Sequence, residues 1–203
     1  MKPAGLLLFA IITSFAGLRV TDAADPRYPD WPCVQAKVPD LSIAAIWDGP
    51  SIEPAQKAWQ DDPTIRNLIA RLAARRIPIE DAQKSIEDFL AGAAKADKGV
   101  LLFAGLFETL NRERTEIMNG LERLQRSQRE LADRIKADAS AQRGLQDQPQ
   151  PDQAKLDELG SRIEWSTRIF DDRRKSVRYA CEVPVTIERR LFALGRTIRQ
   201  QME

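Results

Sequence analysis

The chain has 203 residues, with 31 basic and 30 acidic side chains, two cysteines and no histidine. A formal charge near zero offers no basic stripe for counterion release, so no nucleic-acid partner is expected. The lack of imidazole removes histidine-based hydrolysis, Cys/His zinc sites and Cys-x-x-Cys-His haem attachment, and no metal or other cofactor is expected.

Residues 1–24 read as a signal peptide. Lys2 supplies a short positive start, and Gly5-Leu6-Leu7-Leu8-Phe9-Ala10-Ile11-Ile12 opens an apolar run that ends near Leu18. The run is about 14 residues, short of the ~20 that cross a bilayer. Ala23 and Ala24 supply small residues for signal peptidase, making Asp25 the expected new N-terminus. An uncleaved anchor is the alternative, because Arg19 follows the run and Asp22 occupies position −3. No cysteine ends the run, so lipoprotein processing is excluded. Cleavage takes two of the 31 basic and one of the 30 acidic residues, leaving 29 of each on a mature chain with no transmembrane span. The expected compartment is a bacterial periplasm. There an even cysteine count points to a Cys33–Cys181 disulfide rather than a redox pair, which wants close spacing and a depressed thiol pKa.

Residues 25–62 carry six of the twelve prolines and three of the four tryptophans, Trp31, Trp47 and Trp59. Proline fixes φ and biases its predecessor to extended geometry, so residues 25–38 should run as coil and turns. Asp40 is placed to cap a helical piece over 41–47, and Ser51 another over 52–59. The apolar content argues for an ordered arm that buries its rings elsewhere. Residues 63–98 should form a helical corner. Asp62-Pro63 is a cap followed by proline at the first helical position, and Ile65, Leu68, Ile69, Leu72 and Ala73 make one stripe. Ile77-Pro78 restarts the chain, and Ile79, Ala82, Ile86, Phe89, Leu90 and Ala93 make the next, ending near Lys98-Gly99.

Residues 99–203 are predicted to form a long antiparallel, coiled-coil-like hairpin. Phe103, Phe107, Leu110, Arg114, Ile117, Leu121, Leu124, Gln128, Leu131 and Ile135 advance by alternating fours and threes. The loop falls at about 144–151. The alternation resumes from Leu156 and keeps register past Pro184, which favours a kinked helix over a new element. A loop centre near residue 147 sets Arg114 opposite the Cys181 region, with Glu182 as its acid, and Gln128 opposite Thr167; Arg173 is the facing polar interruption. Such seams also allow a homodimer.

The fold class expected is therefore all-α: a Pro/Trp-rich arm, two shorter helices and a long helical hairpin. Its hairpin resembles in shape those of periplasmic adaptor proteins, without their flanking β-rich domains. The favoured function is a non-enzymatic interaction protein, an accessory or assembly factor whose partner is a cell-envelope protein. One alternative is a small-ligand module with a pocket lined by Trp47, Trp59 and Trp165. The other is a carboxylate-dependent cell-wall hydrolase, for which Asp61-Asp62 and Asp171-Asp172 are the densest acid pairs. No catalytic residue is assigned. The junction of Trp31, Arg114, Cys181 and Pro184 is the surface to inspect first.

Overall fold

The computed structural model describes residues 25–92 and 94–203; the segment read as a signal peptide lies outside them. The described residues form five α-helices and three 3₁₀ turns, with no strand among them. The protein is all-α.

The arm opens with turns, Tyr28 N–H bonding Asp25 O at 2.9 Å and Trp31 N–H bonding Tyr28 O at 3.0 Å. The helical pieces expected over 41–47 and 52–59 contract to 3₁₀ turns at Ile43–Ala45, Glu53–Ala55 and Ala58–Asp61. Asp48-Gly49-Pro50 separates the two pieces, and pieces this short do not offset the cost of helix nucleation. Ser51 Oγ still accepts from Glu53 N–H at 3.3 Å.

Helix α1, Pro63–Ala73, starts at the Asp62 cap, whose carboxylate accepts from the N–H groups of Thr64 (2.8 Å) and Ile65 (3.2 Å). It buries Ile65, Ile69, Leu72 and Ala73. Helix α2, Ile79–Leu90, follows Pro78 and buries Ala82, Ile86 and Leu90. It ends well before Lys98-Gly99, where the sequence suggested its terminus. The chain turns through Ala94, which holds a left-handed φ of 59°, into helix α3, Lys95–Gln146. Gly99 is an interior residue of α3. A Cβ there would stand 2.6 Å from the Met202 side chain, so this glycine permits close helix packing and does not end a helix.

Helix α3 has 52 residues, about 78 Å at 1.5 Å per residue. It continues through Gly144, and the turn that follows is centred later than expected. Helix α4, Gln153–Ala180, returns along α3, and helix α5, Glu182–Met202, completes the return. Contacts Asp138–Arg162, Ser127–Arg173, Gln128–Phe170 and Arg114–Glu188 step in opposite directions along the two paths, so the path α4–α5 runs antiparallel to α3. Their midpoints fall within one residue of Gln150. Arg114 accordingly meets Glu188 and not Glu182, and Gln128 meets Phe170 and not Thr167.

Cys181 separates α4 from α5, yet its backbone stays helical at φ −65°, ψ −23°. Pro184 has no N–H for the Ala180 carbonyl, which interrupts the ladder where α4 gives way to α5.

Two regions emerge. The base packs α1, α2, α5, the first third of α3 and the 3₁₀ turns around Phe103, Leu106, Ile187, Leu191 and Leu194. The stalk is the remainder of α3 with α4, and α4 has no buried residue because it packs against little besides one helix. Arg190, buried on α5, donates to Leu72 O (2.7 Å) and Ile77 O (2.9 Å), pinning the α1–α2 corner. It makes no ion pair among the described residues, and burial pushes its pKa down. No described helix is long and apolar enough to cross a membrane.

Candidate functional site

The arm descends α3 from stalk to base by a series of polar contacts. Asp30 receives both Arg126 (2.8 Å) and Arg129, and Arg129 also donates to Pro29 O at 3.0 Å. Lys37 pairs with Glu122 at 2.5 Å and sits 4.7 Å from the Tyr28 ring centroid. Arg114, only 2% exposed, then forks between Glu188 and the arm carbonyls of Val38 and Pro39. The buried guanidinium therefore joins arm, α3 and α5. Hydrogen bonds from Arg129 first, and Arg126 next, hold the Asp30 carboxyl below the usual carboxylate range.

Within this series Cys33 and Cys181 form a disulfide, their Cα atoms 5.6 Å apart. Trp31 Nε1–H donates to Gln35 O at 2.7 Å, folding the arm into a hook around Cys33. Gln35 Nε2 in turn donates to Cys181 O at 2.6 Å, one residue beyond the interrupted rung of the helix. The bond thus anchors the arm where α4 becomes α5. Pro184 itself is buried in the base.

A groove of about 500 Å³ opens beside the disulfide, between the arm hook, α3 and α4. Its apolar wall is Pro32, Val34, Ala132, Phe170 and Val177. Its polar lining is Gln35, Gln125 and Gln128 with Arg129, Arg174, Arg178 and a single carboxylate, Glu182. Gln128 is 6% exposed; its Nε2 donates to Phe170 O at 3.0 Å, and its Oε1 has no partner. Val34 is 82% exposed, an apolar lip held out of the core.

The three tryptophans proposed for a ligand pocket do not converge. Trp47 stacks on Phe103 at 4.1 Å and donates to Pro50 O, with the turn at Gly49 wrapped so closely that a Cβ would stand 2.4 Å from the indole. Trp59 is buried against α3 and donates to Gln56 O and Glu108. Trp165 stands on α4, 63% exposed. A second groove, about 520 Å³, lies between the 3₁₀ turns and α3, lined by Ile43, Ile52, Phe107 and Asn111, and it too contains one carboxylate, Glu108. Asp62 is engaged as a helix cap, while Asp171 and Asp172 pair with Arg174 and Lys175 on the surface of α4.

Sequence reasoning named the disulfide and Arg114 but missed the groove. Gln128 was visible as a polar break in the seam. Arg174 and Arg178 carried no such signal, because their place depends on which face of α4 the arm hook meets. A scan of protein-family models and searches of curated proteins and of solved structures found no match to this chain.

Proposed function

We propose that the chain is an exported, non-enzymatic helical interaction protein, an accessory or assembly factor of a periplasmic cell-envelope complex. The observation that carries this reading is α4: 28 residues of helix that bury none, with Trp165 63% and Tyr179 76% exposed. A long helix packed on little besides one neighbour, with two large aromatic side chains left in solvent, offers a partner helical surface and anchors. The disulfide is consistent with an oxidising compartment. Each of the two main grooves holds one carboxylate, which lends no support to a paired-acid hydrolase.

The test is recovery from periplasm of the mature protein bearing a photo-crosslinker at position 165. One stoichiometric protein partner, lost with Trp165→Ala in a conventional pull-down, supports the reading. A monomer that captures nothing and is stabilised by metabolite extract favours the small-ligand alternative, for which the groove beside the disulfide is the natural seat. Light scattering separates either outcome from a homodimer.

A further inference from the structure

We infer that the groove beside Cys33–Cys181 is a docking site for an extended, acidic and apolar peptide segment of a partner protein. The inference rests on reading the chain as an interaction protein, and it names the chemistry of one contact.

Three observations converge. First, charge: the lining has three arginines against Glu182 alone, in a chain whose overall charge is close to balanced. Arg129 is engaged by Asp30 and Arg174 by Asp171, whereas Arg178 has no carboxylate within ion-pair distance among the described residues. The lining therefore keeps one guanidinium, Arg178, free of an ion pair among the described residues and an arginine excess over its one carboxylate, which complements an acidic occupant.

Second, shape and apolarity: Phe170 and Val177 form one wall, and Val34 stands over it in solvent. The disulfide fixes the lip, so the groove is held open without ordering on binding. Third, the polar inventory: the side-chain amides of Gln35 and Gln125, both partly exposed, line the groove beside the buried Gln128. Side-chain amides with an apolar wall and a cationic rim match an extended peptide: backbone to Gln35 and Gln125, an apolar side chain on Phe170, and carboxylates on Arg178 and, in exchange for its exposed Asp171 pair, Arg174.

The experiment uses the mature, oxidised chain. A displayed library of random linear peptides is panned against it, and selected peptides are measured by fluorescence anisotropy. Acidic peptides with interspersed apolar residues should be enriched. The double reversal Arg174→Glu/Arg178→Glu should weaken them by about tenfold or more, since two attractive contacts become repulsive. Arg168→Glu/Lys175→Glu, on the same helix outside the groove, alters net charge equally and should have a much smaller effect. All four side chains stand in solvent, and unchanged far-UV circular dichroism confirms the fold. Enrichment of basic or uncharged peptides, or equal losses in both double variants, overturns the assignment. So does arginine-dependent binding of phosphatidylglycerol vesicles without peptide enrichment, which would reassign the groove to anionic headgroups. If position 165 cross-links a partner while panning yields nothing, the groove assignment falls and the interaction reading stands.

Discussion

Breaking the Cys33–Cys181 bond is expected to release the arm without melting the helices. The two residues are 148 apart, and closing a loop of that size destabilises the unfolded chain by about 5 kcal/mol on the chain-entropy model. That figure is a ceiling for the loss on reduction, because a released arm regains freedom in the folded state. Release follows from the balance of terms. Residues 25–39 include no buried residue, and Val34 and Val38 are largely in solvent. Ordering this segment costs conformational entropy at every residue. Opposing that cost are only the exposed Asp30 ion pairs, the partly buried Lys37–Glu122 pair, the Gln35–Cys181 bond and the carbonyl bonds of Arg114. From Leu41 onward the chain packs on the base core and stays. Hydrogen exchange of the oxidised and reduced mature protein, with urea titration followed at 222 nm, measures both parts. The Trp31 amide, bonded to Tyr28 O, and its indole N–H, bonded to Gln35 O, should lose protection on reduction while helical signal persists and the urea midpoint falls. Retained arm protection after reduction would refute the reasoning, as would loss of helix in the same step. The bond itself is checked by alkylating unreduced protein, which should show no mass increase.

Four other outcomes follow from the packing and its ion pairs. Arg114→Met should destabilise the fold by about 1–3 kcal/mol in urea titration; it strands Glu188 and two arm carbonyls, though partial exposure lets water reach the acid. Arg114→Lys should not restore it, because an ammonium lacks the planar fork that meets three acceptors. The Asp30 anchor should be pH-sensitive: its folded pKa is depressed, so its contribution is complete above the unfolded value of about 3.9 and fades as pH falls through the lower folded value. In the oxidised protein, the NMR signals of the Arg126 and Arg129 side chains should shift on acidification over that window, and Asp30→Asn should abolish the dependence. Gly105→Ala should cost about 1–3 kcal/mol in thermal or urea denaturation despite better helix propensity, because its Cβ would stand 2.3 Å from Ile69 and 2.6 Å from Trp59. Gly144→Ala, with nothing within 4 Å, should instead stabilise α3 by about 0.5–1 kcal/mol.

The amino-acid sequence by itself determined the helical character of the protein and several of its boundaries. Asp62-Pro63 and Pro78 act through capping and fixed φ, which are local effects, and α1 and α2 begin where those residues say. The pairing of Cys33 with Cys181 followed from there being only two thiols. Local reasoning failed wherever a neighbour decided. Gly99 read as a terminator until Met202 supplied a reason for a missing side chain inside α3. The expected arm helices gave way to 3₁₀ turns because Trp47 and Trp59 are held by α3, not by their own backbone ladder.

Register, and with it the site, belonged to the tertiary structure alone. Moving the turn centre toward Gln150 redirected Arg114 from Glu182 to Glu188, and no local signal sets where a long hairpin closes. Arg190 carries no local signal that sets it apart from other arginines, yet packing of α5 against the α1–α2 corner makes it a buried clamp. The groove needs three segments distant in sequence, and only their meeting at the disulfide brings Val34, Gln128 and Arg178 to one surface. Periodicity and capping act over a few residues and are written in the chain; contacts across 46 to 148 positions are settled by how whole faces pack.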